Sequence, residues 1–221
     1  KPLALTVKEG EEILNLCNDN GVGFICNHLR RFSPFYWNLS KFLNLTTVET
    51  SISCSYGGGV FNTGTHLLDT LNILSRLPLK ITHAHSFDEI SSTDFNVDFS
   101  LDLLPHVSCH IQSTKAPILE IKFTQATLQL ILNLTYPFNS LPLCRFYSAE
   151  DNPIFPGGKQ FSPQAIPPNL RYTTVNDHCF MKNAVNFIVE YLSDKFENSD
   201  LISYNGMESL KAINTLCHLK D

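Results

Sequence analysis

The chain has 221 residues, 43% of them hydrophobic and 11% aromatic, with 17% charged and a formal net charge of −5. That content suits a packed core and excludes a disordered chain, while acid in excess of base argues against non-specific nucleic-acid binding. No apolar run approaches the roughly 18–20 residues of a membrane helix, and seven cysteines without CxxC spacing read as reduced, buried thiols of a cytoplasmic protein.

Residues 8–20 place Ile13, Leu14, Leu16 and Cys17 among glutamates. Thr6 with Glu9 three residues on forms a capping box, so a helix is predicted here. Gly21 and Gly23 end it, and Val22 to Cys26 is expected as a short buried strand. Helix then strand is half of an α/β repeat, whose apolar helical face needs a parallel sheet beneath it. The chain also opens Lys1-Pro2 rather than with Met, so an upstream portion is expected.

Ser33 to Leu43 reads as a second helix with Pro34 in its first turn. Thr46 to Tyr56 alternates as a strand with Val48, Thr50, Ile52 and Cys54 on one face. A turn through Gly57, Gly58 and Gly59 leads into a helix over 66–77, striped by Leu67, Leu68, Leu71 and Leu74 and closed by Pro78. Beyond Leu79 the periodicity becomes two. Strands are predicted at 81–85, 95–103, 107–111, 118–123 and 127–134, as in an antiparallel sheet. Residues 135–171 hold seven of the twelve prolines and read as a long irregular excursion. Two helices follow, one burying Phe180, Ala184, Phe187, Ile188 and Tyr191, the other Met207, Leu210, Ile213, Leu216 and Cys217. The fold class is therefore α+β, with an α/β remnant at the N-terminus and a large open, mainly antiparallel sheet flanked by helices.

No glycine cluster has the dinucleotide or P-loop spacing. The strongest local signal runs from Tyr56 to Asp69, where a strand ends, glycines turn the backbone and a helix starts near Thr65 or His66. A histidine at that terminus feels the positive helix dipole, which favours the neutral imidazole a general base needs. The competing reading is that Asn62 or Thr65 caps the helix and His66 is an ordinary polar residue. His83, His85, His106 and His110 are scattered over the sheet and lack the three or four converging ligands of a zinc site, so no metal is expected. Arg30 suits an ion-pair corner between domains; Arg31 fits either such a corner or an anionic substrate group. Asp69 fits a brace for its helix.

Several segments together resemble the Gfo/Idh/MocA oxidoreductases, the family of glucose–fructose oxidoreductase and inositol dehydrogenase. Lys1-Pro2-Leu3-Ala4-Leu5-Thr6 resembles the end of a Glu-Lys-Pro motif. Asn27-His28-Leu29-Arg30-Arg31-Phe32-Ser33-Pro34 resembles the crossover into the second domain. Gly57 through Asp69 is similar to Gly-Gly-x-x-x-Asp-x-Gly-x-His-x-x-Asp, and Leu119 to Leu130 and the last helix fit the later pattern.

The resemblance implies residues 1–28 as the C-terminal remnant of a Rossmann dinucleotide-binding domain and 29–221 as a substrate-binding and oligomerisation domain. It further implies an NAD(P)-dependent oxidoreductase moving hydride at a hydroxyl carbon of a sugar, cyclitol or nucleotide-sugar. Lys1 and His66 would be catalytic, Asn62, Thr65 and Arg31 would bind substrate, and Lys1 with Pro2 would border the cofactor. NAD or NADP would bind the intact protein rather than this chain alone, and a homo-oligomer would form through the sheet. Asn62 stands where the family motif has an acid, so it supplies no negative charge to His66. A second reading is a sheet-mediated interaction or scaffold domain that has lost cofactor binding.

Overall fold

In the computed structural model, the described residues are 2–26, 28–126, 128–134, 143–148, 185, 186, 189 and 206–220. Helix α1 spans Val7–Asp19. Its capping box forms as expected: Thr6 Oγ1 accepts from the Glu9 N–H at 3.2 Å, and the Glu9 carboxylate accepts from the Thr6 N–H at 3.0 Å. The strand expected at 22–26 does not form. A strand needs a paired edge, no described strand runs beside this segment, and Val22 is 57% exposed.

A 3₁₀ turn at Leu29–Phe32 delivers the chain into α2, Pro34–Leu43, with Pro34 in the first turn. Strand β1 covers Thr50–Tyr56, starting four residues later than the alternation suggests because Asn44 to Thr47 close a turn. A π-helical turn at Gly59–Gly64 runs straight into α3, Thr65–Ser75, which Arg76 ends in the left-handed conformation. Then come β2 Lys80–Ser91, β3 Asp94–Leu104, β4 Val107–Ser113, β5 Leu119–Thr124, β6 Leu128–Asn133 and β7 Leu143–Ser148. Helix α4 is Met207–Lys220. Strand β7 falls inside the stretch expected to be irregular; its prolines flank the strand, at 142 and 153, and none interrupts it. The helical face expected at Phe180 to Tyr191 lies outside the described residues.

The seven strands form one mixed sheet in the order β2-β3-β4-β1-β5-β6-β7. All pairings are antiparallel except β1 with β4, where Ile52 stands opposite Cys109 in parallel register. The single parallel pair follows from connectivity. After β1 the chain leaves the sheet through α3 and returns by β2, β3 and β4, a crossover of the kind parallel neighbours require. One face of the sheet is apolar and covered by helices: Thr50, Ile52, Cys54 and Tyr56 of β1 point inward with Phe99, Leu101, Ile121, Phe123, Leu130 and Leu132. The other carries exposed Ser51, Ser53, Ser108 and His110. Tyr56 is fully buried, and its hydroxyl donates to the Val97 carbonyl and accepts from the Val97 N–H, both at 3.0 Å. Burial raises its pKa well above the usual phenol value.

On the covered face all four leucines of the expected α3 stripe are buried, as are Met207, Leu210, Ile213 and Leu216 of α4. Helix α1 meets α4 at Gly10, where an added Cβ would fall 2.8 Å from Leu210 and 2.9 Å from the Met207 sulfur.

Candidate active site

The entry into α3 is fixed from both sides by neighbouring segments of the chain. The glycine turn is clamped from β3: the Gly59 N–H donates to Asn96 Oδ1 at 3.1 Å and the Phe61 N–H to Asp94 Oδ1 at 3.0 Å. Gly58 and Gly59 have φ of +95° and +90°, and the Asp94 carboxylate occupies the space a Gly59 side chain would need. On the other side, Gly57 lies against the Thr114 and Ala116 carbonyls.

Thr65 is fully buried, and its hydroxyl donates back to the Asn62 carbonyl at 2.7 Å. No side chain caps α3, so neither Asn62 nor Thr65 plays the capping part of the competing reading. Gly64 is itself helical, as part of the π-helical turn that runs into α3, so His66 lies more than a turn inside the helical backbone. The dipole argument for His66 therefore weakens, since the effect fades beyond the first turn.

His66, Asp69 and Asn72 recur at three-residue spacing and make one polar stripe along a helix otherwise packed with leucine. Facing it is the turn that carries His28 and Arg31. Arg31 Nε donates to Asp69 Oδ1 at 2.6 Å and Arg31 Nη2 donates to Asn72 Oδ1 at 2.7 Å. His28 Nδ1 lies 3.5 Å from the second oxygen, Asp69 Oδ2. The rings of His28 and His66 meet edge to face, with centroids 5.9 Å apart. Exposure is 1% for Asp69, 2% for His28, 5% for Arg31 and 9% for His66, while Asn62 is exposed. Burial lowers the His28 pKa below its ordinary 6.5; Asp69 opposes that shift and Arg31 adds to it. Cys26, on the segment leading in, has its thiol pushed up to about 11, chiefly by burial and then by Asp69.

Of the expected site residues, His66, Thr65 and Arg31 lie around this stripe, Asn62 sits at its outer end, Pro2 is half-buried, and Lys1 lies outside the described residues. The ion-pair corner considered for Arg30 is made by Arg31 instead, and among the described residues Arg30 forms no ion pair. Two residues at the site carry no role in the sequence reading, His28 and Asn72. Asn72 was detectable as the third member of the polar stripe; nothing local marks His28 as buried.

Among the described residues no three His, Cys, Asp or Glu side chains converge as metal ligands, and no helix is long and apolar enough to cross a membrane. A dinucleotide fits the described residues poorly. The one glycine-rich turn already spends its Gly59 and Phe61 N–H groups on Asn96 and Asp94, and an acidic side chain fills the space a phosphate would take.

No family model and no curated protein matches the chain. Solved structures do match, and they define a fold found in Gfo/Idh/MocA-type oxidoreductases. A dehydrogenase (MviM) from Clostridium difficile aligns with 100% of this chain and 69% of its own, with a TM-score of 0.64 and 17% identity. KijD10, a 3-ketoreductase from Actinomadura kijaniata solved in complex with NADP and TDP-benzene, aligns with 97% of this chain and 68% of its own, with a TM-score of 0.72 and 15% identity. At these identities the likeness is one of fold, and the chain spans about two thirds of the length of each.

Proposed function

We propose that this chain is the substrate-binding and catalytic part of an NAD(P)-dependent oxidoreductase acting at a hydroxyl carbon of a sugar, cyclitol or nucleotide-sugar. The observation that carries the reading is the largely buried polar stripe of α3, with His66 at its N-terminal end and a carboxylate–guanidinium pair one turn on, on a fold shared with a 3-ketoreductase solved with NADP and a nucleotide ligand. Burying an ion pair and two imidazoles costs desolvation that leucines in their place would avoid, which favours this reading over a scaffold.

In this reading His66 takes the proton of the substrate hydroxyl, or returns it in the reductive direction. Exposed Asn62 offers its amide to a substrate hydroxyl at the mouth, while Thr65 and Arg31 shape the site from within. Lys1 would oppose charge on the reacting oxygen, with Pro2 bordering the cofactor. The hydride partner is NAD or NADP, whose phosphates find no seat among the described residues. The domain reading follows the same line: 1–28 closes a dinucleotide-binding unit and 29–221 is the substrate domain. Ile13 and Leu16 of α1 support it, for they are exposed apolar residues of the kind a helix lays on a sheet, and exposed Leu5 and Val22 flank the same helix. The polar face of the seven-stranded sheet is the proposed contact between subunits.

The test is a spectrophotometric assay on the product of the whole reading frame, with NAD(H) and NADP(H) against sugars, cyclitols and nucleotide-sugars. Substrate-dependent change in nicotinamide absorbance supports the reading. Inertness across the panel, in a protein that still self-associates through the sheet, favours the scaffold.

A further inference from the structure

Strand β4 is paired with β3 from Phe99 to Leu104, so residues 94–98 of β3 run on beyond that ladder. The chain leaving β1 lies against this stretch. The Tyr56 hydroxyl takes both backbone groups of Val97, and alternate side chains of β3 accept N–H groups from outside the strand: Gly59 donates to Asn96, Phe61 to Asp94 and Ser113 to Asp98. Asp94 Oδ1 accepts from the Phe61 N–H at 3.0 Å and from the Phe95 N–H at 2.9 Å, and the second bond fixes the carboxylate's own rotamer. A carboxylate on a backbone N–H makes a charge-assisted bond, stronger than a neutral one. One residue beyond Phe61 stands Asn62, whose carbonyl accepts from the Thr65 hydroxyl at 2.7 Å. The Asn62 backbone is thus tied on both sides, through Phe61 to β3 and through its own carbonyl to α3, while its side chain is exposed.

We propose that Asp94 is a positioning residue for Asn62: its carboxylate fixes the Phe61 peptide and, with Thr65, presents the exposed Asn62 amide to substrate in one orientation. This deepens the proposed function and rests on Asn62 meeting a substrate hydroxyl there. A neutral amide has to be aimed, because its hydrogen bond weakens steeply away from a straight line. Order built in before binding is order that the substrate's binding energy need not supply.

The test combines amide hydrogen exchange with initial-rate kinetics on the product of the whole reading frame. It compares wild type, Asp94→Ala and Asp94→Asn, whose amide oxygen can still accept, using the sugar, cyclitol or nucleotide-sugar that the wild type turns over. In Asp94→Ala the Phe61 amide should exchange faster while the amides between β3 and β4 keep their rates. Its KM should rise about tenfold, the worth of one such hydrogen bond, with a smaller fall in kcat. Asp94→Asn should restore both the Phe61 protection and the KM. An unchanged KM or unchanged Phe61 exchange in folded Asp94→Ala, or an Asp94→Asn variant as impaired as Asp94→Ala, overturns the proposal. Should Asp94→Ala fail to fold, the wild-type Phe61 amide decides: protection supports the proposal, and exchange at the rate of a free amide overturns it. Inertness of the wild type across the whole panel would instead remove the proposed function, with the exchange rates still deciding whether Asp94 holds the turn.

Discussion

Asp69 is a carboxylate with 1% exposure, and Arg31 compensates it with a short charge-assisted hydrogen bond while its other arm reaches Asn72. Removing one partner of a buried pair leaves an uncompensated charge, worth about 3–5 kcal/mol. Arg31→Ala should therefore lose stability of that order in urea unfolding. Arg31→Lys should fall between, because an ammonium replaces the planar fork that spans two acceptors. His28 gives a pH dependence of definite sign. Its folded pKa is depressed below 6.5 by burial. Above 6.5 both states hold a neutral ring; as pH falls, the unfolded chain takes a proton that the folded chain refuses. Stability should thus be complete above 6.5, fall through the interval down to the folded value, and level off beneath it. Urea midpoints on both sides of 6.5 check this, and in His28→Gln that share of the slope should vanish. His66 and Asp69 were legible because their spacing puts them on one helical face. His28 was not, because what buries it is a helix some 40 residues away in sequence.

At the scale of elements, the glycine turn sets where the stripe begins. Gly59 combines a φ of +90° with the Asp94 carboxylate in the space of its missing side chain. Gly59→Ala should cost about 1–3 kcal/mol from overpacking, with backbone strain of similar size. A thermal melt should show that loss, and the His66 environment should change with it, because displacing Asp94 frees the Phe61 N–H. The capping box at Thr6 and the leucines of α3 were readable from sequence, since both signals are local. The strand at 22–26 was misread, because apolar character alone does not supply a partner edge. In β2 the register shifts after Ile81 and after His85 change the period, so Ile81, Ala84 and Phe87 face inward and His83 and His85 are both exposed. Strict alternation cannot foresee such bulges.

For the molecule as a whole, the positions of strands β1 to β6 along the chain followed from periodicity, whereas their order in the sheet and the parallel pairing of β1 with β4 are properties of connectivity that no strand sequence states. The fold places a deep acid–base cluster on one side of the sheet and a polar, solvent-facing surface on the other. The most direct measurement is nicotinamide-linked turnover of the whole reading-frame product, wild type against His66→Ala, alongside cofactor affinity by fluorescence titration. Loss of a general base predicts turnover reduced about 10²–10⁴-fold with cofactor affinity unchanged. Equal turnover in the two proteins would contradict the assignment of His66 and with it the proposed site.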